Sequence, residues 1–310
     1  VCDTLNNKIW IATNSGLRTY DPTNGLVTIS NGLTSGSCAA LSISTNGQVI
    51  ICSMTTGKTN VSVDGGASFT NVSGGSPGQI EVASSRVEYA ISHEKGTNGN
   101  YYVYAVCGST LHLQGVWKST DNGLTWIEIA PAGNGSPGSF SPFSHSTTSG
   151  QAWYDMIISV ERGNPERIFL GGIDCYSWCT TCNWSQVSQW FYAPTNPQYV
   201  HADIHDMVWD KDGRLYIGND GGIAFSDDGG ESFVPANRGY NVTQFYSVGY
   251  SAHGDVIGGA QDNGTNANYH DNATYRSHDE VGGGDGFSSA ISFINRNLLF
   301  SSVYNGGVYR

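Results

Sequence analysis

Charged residues are scarce in this 310-residue chain, and positive charge is the scarcest. Only 13% of the residues are Asp, Glu, Lys or Arg, and 14 Lys and Arg stand against 26 Asp and Glu, for a net charge of −12. Nucleic acids and anionic membrane surfaces are bound by basic faces. The composition therefore argues against both partners, and the acidic excess is expected to serve solubility and Asp-rich turns.

Long apolar runs and helical periodicity are also missing. No run approaches the length that spans a bilayer, no signal peptide opens the chain, and no segment sustains a 3.6-residue apolar period. We therefore expect no membrane span and almost no helix. Residues 1–3 look like the end of a strand and 305–309 like the start of one, so we expect a piece of a longer polypeptide.

Glycine is abundant, with 41 residues, and one eight-residue pattern occurs three times. Its frame is Ser-x-Asp-x-Gly-x-Ser/Thr-aromatic. We expect Ser and Asp to bond local backbone N–H groups, Gly to take a positive φ, and the aromatic residue to begin the next strand and pack inward. The copies are Ser62, Asp64, Gly66 and Phe69; Ser119, Asp121, Gly123 and Trp126; and Ser226, Asp228, Gly230 and Phe233.

The spacing of these hairpins predicts an all-β fold. The second interval is about twice the first, as expected if one intervening copy has eroded, and we place that copy at 183–190. A repeat of roughly 40–50 residues built from strands indicates propeller blades. The sequence predicts a single β-propeller domain of about seven four-stranded blades, the first and last incomplete. The blades cover approximately 1–34, 35–75, 78–131, 152–192, 202–238, 243–279 and 283–310.

Seven cysteines in a Gly-rich acidic chain suggest an oxidising, extracytoplasmic compartment. Cys175, Cys179 and Cys182 crowd one loop, where a local disulfide is favoured over zinc because no fourth ligand lies nearby. Cys38 and Cys52 flank a hairpin at Asn46-Gly47. A two-residue loop would place Cys38 on the face opposite Cys52, so we predict no bridge between them.

The hairpins resemble those of the Asp-box (BNR) propellers, a group that includes sialidases, sortilin-type receptor domains and twin-propeller glycosidases that cut xyloglucan. The chain is most similar to sortilin- and glycosidase-like propellers of secreted bacterial proteins, many exported by type IX secretion and held outside the cell. This resemblance implies a secreted or cell-surface location. The stretches that carry it are 151–155, 201–205, 218–222, 244–246, 259–264 and 283–285.

Two departures bear on activity. Sialidases need an arginine triad, and the few arginines of this chain do not lie in matching contexts. In the xyloglucan enzymes a catalytic aspartate occupies a first-blade turn, where this chain has Asn14. Asparagine cannot act as a carboxylate base, so neither mechanism is implied.

Blade topology gathers polar residues at one rim of the central channel. Loops that enter the first strand, or join the second strand to the third, open on the same rim. Each such residue is either a structural latch or part of a ligand site. The rim candidates are Asp155, Asp174, His201, Asp203, His205, Asn219, Asp220, Gln261, Asp262, Asn263 and Asp285.

Three functions are compatible with this rim. The favoured one is a non-catalytic binding, adhesion or assembly module for a glycan or a surface protein. The second is a glycoside hydrolase with Asp220 or Asp262 as base and Asp285 or Asp203 as acid. The third is a metal-dependent hydrolase.

The metal hypothesis rests on the alternation of His201, Asp203 and His205, which would point the same way on an extended segment. Calcium or another divalent ion is the candidate cofactor. The aromatic residues Trp153, Trp184, Tyr240, Tyr246 and Tyr250 suit sugar stacking or blade cores, and we predict cores.

Overall fold

The computed structural model describes residues 1–29, 33, 36–54, 58–80, 85–237, 243–270 and 279–310. These residues form seven sheets and one 3₁₀-helix, Tyr304–Gly306. Six sheets have four strands and the last has three, and in every sheet consecutive strands are antiparallel neighbours. This succession of small meander sheets is the blade organisation of a β-propeller, and the predicted fold class is confirmed. The first sheet, predicted to be incomplete, has four strands. Among the described residues, no helix has the length and apolar character needed to cross a membrane.

The first compact unit, residues 1–236, contains five sheets. Sheet 1 comprises β1 (Cys2–Asp3), β2 (Lys8–Thr13), β3 (Gly16–Asp21) and β4 (Leu26–Ile29). Sheet 2 comprises β5 (Cys38–Ile43), β6 (Ile50–Met54), β7 (Lys58–Ser62) and β8 (Thr70–Asn71). Sheet 3 comprises β9 (Arg86–Lys95), β10 (Tyr101–Gly108), β11 (Leu113–Ser119) and β12 (Ile127–Gly133). Sheet 4 comprises β13 (Ile157–Val160), β14 (Arg167–Gly171), β15 (Cys175–Cys179) and β16 (Ser185–Gln186). Sheet 5 comprises β17 (Ile204–Trp209), β18 (Leu215–Asn219), β19 (Gly222–Ser226) and β20 (Val234–Pro235).

The second compact unit, residues 237–310, contains the other two sheets. Sheet 6 comprises β21 (Phe245–Tyr250), β22 (Val256–Ala260), β23 (Thr265–Asn268) and β24 (Asp279–Gly282). Sheet 7 comprises β25 (Ser289–Ile291), β26 (Leu299–Ser302) and β27 (Val308–Tyr309). The apolar contact between these two sheets includes Ile257 and Ile291.

The cores of unit 1 lie between consecutive sheets. Strand β10 shows why, because all eight of its residues are buried. Its side chains alternate, so that Val103 and Ala105 join the core shared with sheet 2 while Tyr104 and Val106 join the core shared with sheet 4. A strand covered on both faces reads as a continuous apolar run, as this one does.

The repeated hairpin has the same hydrogen bonds in sheets 2, 3 and 5. In sheet 2, Ser62 Oγ donates to Asp64 Oδ1 at 2.7 Å and accepts the Gly66 N–H at 2.8 Å. Asp64 also accepts the N–H of Ser68 at 3.0 Å and its hydroxyl at 2.6 Å. The turns that begin at Ser119 and Ser226 repeat this network. One serine and one aspartate therefore satisfy most of the turn's polar groups.

The turn glycine is also a packing contact. Gly66 has φ +86° and Gly230 has φ +84°, a region that side chains with a Cβ rarely adopt. A Cβ on Gly66 would lie 2.1 Å from the ring of Trp10 in sheet 1, and one on Gly230 would lie 2.5 Å from the ring of Phe169 in sheet 4. The turns of sheets 2 and 5 thus pack against an aromatic ring of the preceding sheet, whereas a Cβ on Gly123 of sheet 3 would meet Val61 Cγ2 at 3.1 Å.

Sheet 4 closes the same hairpin by different chemistry. Strand β15 pairs with β16 through Tyr176 opposite Gln186, and a disulfide joins Cys179 to Cys182 in the turn between them. Residues 183–190 therefore run through β16 and beyond, so their interpretation as an eroded turn is wrong. Cys175, the third cysteine of this group, is a buried free thiol.

At Cys38 the strand departs from the regular alternation that the loop length predicts. Leu41 lies opposite Cys52, as a two-residue loop requires, but a β-bulge follows Cys38. The bulge adds a residue to the strand and re-aims the Cys38 side chain. Cys38 and Cys52 are both buried free thiols, in agreement with the prediction that no bridge joins them.

We expect Gly230→Ala to destabilise the fold far more than Gly213→Ala. Gly213 has a similar φ of +87° with open space around it, so its substitution carries backbone strain alone, about 1 kcal/mol. Gly230→Ala adds the collision with Phe169, for about 3 kcal/mol in total. Urea denaturation followed by circular dichroism measures both. Equal losses in the two variants would contradict the packing role.

The turn network predicts an acidic titration for Asp64. Hydrogen bonds from Ser68 and Ser62 lower its pKa from 3.8 to about 2. Because the folded-state pKa is depressed, its contribution to stability is present above about pH 4 and is lost as the pH falls through 2. Ser68→Ala should raise this pKa, measured by NMR titration of the carboxyl carbon. Ser232→Ala, in the equivalent turn of sheet 5, should leave it unchanged.

Candidate functional site

Three loops of unit 1 bring together most of its predicted site residues. We call them the rim loops: 151–156 before β13, 187–203 before β17, and 220–221 between β18 and β19. Arg86 of β9 anchors the first loop by donating to the carbonyl oxygens of Trp153, Tyr154 and Met156 at 3.0–3.1 Å. Its guanidinium also pairs with Glu88 at 3.0 Å.

Gln151 connects two of the predicted carboxylates. Its Nε2 donates to Asp155 Oδ2 at 2.9 Å and also to Asp203 Oδ1. Asp155 is fully buried, and its other oxygen, Oδ1, has no hydrogen-bond partner among the described residues. A buried carboxylate oxygen without a donor is unfavourable.

Burial changes the protonation of these groups. It raises the pKa of Asp155 to about 8, with the Gln151 hydrogen bond opposing and the charge of Asp203 adding to the shift. Burial also raises the pKa of Asp203, and the charge of Asp220 contributes in the same direction. The charge of Asp203 therefore opposes ionisation of Asp155, and the charge of Asp220 opposes ionisation of Asp203.

Asp220 accepts two side-chain hydrogen bonds. Tyr154 donates its hydroxyl to Oδ2 at 2.8 Å, and His205 Nε2 lies 2.7 Å from Oδ1. The rings of Tyr154 and His205 meet edge to face at 4.7 Å between centroids. The neighbouring Asn219 accepts the N–H of Gly221 at 2.9 Å. This arrangement latches the turn after β18 to the loop before β13.

The proposed set of His201, Asp203 and His205 does not lie on one extended segment. Asp203 has φ +66°, a left-handed conformation, and β17 begins only at Ile204. The premise that the three side chains point the same way is therefore wrong. His201 instead lies beside Gly221, where a Cβ would come within 2.4 Å of the imidazole ring.

Asp174 lies in the turn between β14 and β15 and is almost fully buried. It accepts the Trp190 N–H at 2.7 Å and the Gln186 side-chain amide at 2.9 Å. Burial raises its pKa to about 6, against the effect of these two donors. Asp174 thus holds the start of the loop that leads to β17.

The remaining predicted residues lie in unit 2. Gln261, Asp262 and Asn263 form the turn between β22 and β23, and Asp262 has φ +56°. The Asp262 N–H donates to Asp285 Oδ1 at 2.8 Å, and Tyr246 donates its hydroxyl to Gln261 Oε1 at 3.0 Å. Within this unit the turn and the loop before β25 form one polar group. Convergence of all the candidates at one rim stays a prediction.

Several aromatic residues are not core residues. Trp153 is 60% exposed, and Tyr246 and Tyr250 are also exposed, so the prediction of blade cores is wrong for these three. Trp184 does pack in the core shared by sheets 3 and 4, and Tyr240 lies outside the described residues. Trp190 and Phe191, which the sequence did not single out, are exposed at 45% and 61%.

A cavity of about 330 Å³ lies elsewhere in unit 1. It is lined by residues 75–79 together with Trp117, Trp126 and Glu128. Both tryptophans are only 4% exposed, and the Trp126 indole N–H is bonded to Gly123 O at 2.9 Å. This cavity therefore presents little aromatic surface to a ligand.

Sequence reasoning assigned no role to Gln151 and Tyr154. Both lie within the 151–155 stretch that carries the family resemblance, but neither type of side chain signals a site by itself. The one available signal concerned Gln151, which lies four residues before Asp155 in the turn that precedes β13.

No family model and no curated protein matches this chain. Solved structures with a similar fold include YCF48 bound to D1 peptide, with 14% identity, a TM-score of 0.43, and coverage of 97% of this chain and 88% of that chain. They also include the β-propeller domain of Cps50 (Swd1) from Myceliophteria thermophila, with 10% identity and a TM-score of 0.47, where the match covers 97% of this chain and 92% of that chain. The GH74 enzyme of Niastella koreensis has 15% identity and a TM-score of 0.43, and the match covers 97% of this chain and 42% of that chain. At these values the similarities carry no inference about activity, and the Asp-box subtype stays a prediction.

We expect Tyr154→Phe to loosen the latch on Asp220. The variant keeps the ring but loses the donor to a mostly buried carboxylate, which should lower the free energy of unfolding by about 1–2 kcal/mol. Tyr192→Phe is the matched control, because its hydroxyl makes no hydrogen bond with the described residues. Thermal melting measures both variants. A Tyr154→Phe protein as stable as Tyr192→Phe would contradict the latch.

Proposed function

We propose that this chain is a non-catalytic, extracytoplasmic binding module whose ligand is a glycan held at the rim loops of unit 1. The observation that carries the proposal is the exposure of Trp153, Trp190 and Phe191 beside polar groups that are held in place by neighbours. Exposed indole and phenyl faces stack on the apolar faces of sugar rings. Amide, hydroxyl and carboxylate groups next to them supply hydrogen bonds to sugar hydroxyls.

The state of the carboxylates favours binding over catalysis. Asp220 accepts bonds from Tyr154 and His205, and Asp174 accepts bonds from Gln186 and Trp190. Asp155 is fully buried, so it has no surface with which to reach a substrate. Carboxylates arranged in this way fix the loops and leave the aromatic faces to the ligand.

The location rests on the cysteines and on the family resemblance. The Cys179–Cys182 disulfide supports an oxidising compartment, because such bonds are rare in the cytosol. A net charge of −12 suits a soluble surface without affinity for nucleic acid.

A glycoside hydrolase is the second candidate, favoured by one observation. Asp203 is half-buried, and burial raises its pKa, which is the property required of a general acid. Asp220 would then be the partnering carboxylate.

Glycan array screening of the full 310-residue chain, followed by calorimetric titration with the best oligosaccharide, tests the proposal. We expect Trp153→Ala and Trp190→Ala each to weaken binding at least tenfold, because each removes a stacking face. Leu5→Ala, which removes an exposed apolar side chain from the turn between β1 and β2, should bind as the wild type does.

Three results would contradict a glycan-binding role. Absence of any glycan bound by the wild type would do so, as would capture of a purified surface protein through the same tryptophans. Release of reducing sugar by the wild type but not by Asp203→Asn would establish the hydrolase instead.

A further inference from the structure

We propose that the cavity where the loop after sheet 2 meets sheet 3 binds a primary carboxamide, the group carried by asparagine and glutamine side chains. Its volume of about 330 Å³ is at the lower end of ligand pockets, which hold about 300–1,000 Å³, so it suits one small group. The described residues that line it are all outside the rim loops. They are residues 75–79, Trp117, Trp126 and Glu128.

The first observation is an indole N–H that has no partner. Trp117 is only 4% exposed, and its N–H donates to none of the described residues. The unpaired indole N–H groups of Trp10 and Trp209 are sealed from solvent, but that of Trp117 is not. Trp126 already donates its own N–H to Gly123 O at 2.9 Å. The cavity is therefore lined by one unused donor, on a side chain that the core of sheets 2 and 3 holds in place.

The second observation is an unused acceptor on the neighbouring strand. Glu128 lies directly opposite Trp117 in the pairing of β11 with β12, so the two side chains are on the same face of sheet 3. Residues paired in this way have Cβ atoms about 4.5–5.5 Å apart. The Glu128 carboxylate is exposed and makes no ion pair or hydrogen bond with the described residues. The donor and the acceptor are therefore close enough for one small group to contact both.

The loop 75–79 supplies another wall, and backbone hydrogen bonds fix it. Gly78 O accepts the Trp126 N–H at 2.9 Å, and Ser76 O accepts the Gln79 N–H at 2.9 Å. Gln79 is half-buried, and its side-chain amide makes no hydrogen bond with the described residues. The cavity is thus formed before a ligand arrives, and Gln79 adds a further donor and acceptor to it.

These groups exclude several classes of ligand. The charge of Glu128 repels anions. Sugar rings and apolar groups need aromatic or aliphatic surface, and both tryptophans of the cavity are only 4% exposed. Ammonium and guanidinium groups have donors but no acceptor, so they leave the Trp117 N–H without a partner.

A primary carboxamide matches the pair of Trp117 and Glu128. Its oxygen accepts and its nitrogen donates along the same edge, so one group bonds both side chains. The N–H and C=O of a trans peptide bond point in opposite directions, so a backbone amide does not. The bond to the carboxylate is charge-assisted, which is the stronger kind.

NMR titration of the full chain tests the site, because the indole N–H resonance of Trp117 reports on the donor directly. The blocked tripeptide Gly-Gln-Gly should shift this resonance with a dissociation constant on the order of 10⁻³ M. The isosteric Gly-Glu-Gly should not bind, because its carboxylate meets that of Glu128. Glu128→Ala should weaken binding of Gly-Gln-Gly about tenfold or more. Glu231→Ala removes another exposed glutamate whose side chain bonds none of the described residues, and should change it less than twofold.

A Trp117 resonance that Gly-Gln-Gly does not move would overturn the proposal, as would equal affinity in Glu128→Ala and the wild type. Tighter binding of blocked Gly-Arg-Gly than of Gly-Gln-Gly would also overturn it. The comparison among peptides uses the wild type alone, so it does not depend on the folding of a variant. Titration with propionamide distinguishes the source of the amide. Tighter binding of the peptide assigns it to a partner polypeptide, and tighter binding of propionamide assigns it to a small molecule.

Discussion

The contact between a hairpin glycine and a side chain of the preceding sheet limits how closely sheets 2, 3 and 5 of unit 1 approach their neighbours. Four-stranded sheets of two- to ten-residue strands bury little surface alone, and their cores lie between neighbours. The spacing of neighbours is therefore set where backbone meets ring, as Gly66 meets Trp10 and Gly230 meets Phe169. Only a residue without a Cβ permits that approach at a positive φ. The Ser–Asp network holds the turn in the shape that presents this glycine.

Sheet 4 shows that the shape of the hairpin matters more than its sequence. Where its neighbours use serine and aspartate, it uses the Cys179–Cys182 disulfide. Both devices restrict the turn between the third and fourth strands of a sheet. The disulfide does so by lowering the conformational entropy of the unfolded chain, and the serine and aspartate do so by giving the turn's polar groups hydrogen-bond partners. Trp184 then packs against Phe140 and Trp178 and donates to Ile129 O of sheet 3 at 3.2 Å. Trp184 thereby joins sheet 4 to sheet 3, although sheet 4 lacks the repeated Ser–Asp turn.

The fold could be predicted from the sequence because the patterns that indicate it are local. The spacing of Ser–Asp hairpins, the period-two strands and the absence of helical periodicity all report on a few adjacent residues. The site was harder to predict because it depends on departures from regular geometry. The left-handed conformation of Asp203 breaks the strand alternation from which the metal ligands were predicted. The bulge after Cys38 changes the face of the sheet on which this side chain lies, which a regular strand register would otherwise determine. The exposure of Trp153 was not predicted, because an aromatic residue beside a strand suggests a core position whether it is buried or exposed.

Two of the predicted site residues have a backbone conformation that is uncommon for residues other than glycine. Four described residues other than glycine have a positive φ, and Asn7 and Asn122 are asparagines, which tolerate it well in turns. The other two are Asp203 and Asp262, each within its own unit and each next to a turn of predicted site residues. Strain of this kind persists only where surrounding contacts over-determine it. For Asp203 those contacts are the Gln151 hydrogen bond and the pairing of the next residue, Ile204, whose N–H donates to Gly172 O at 2.8 Å. These two contacts fix the Asp203 carboxylate beside Gln151, immediately before β17.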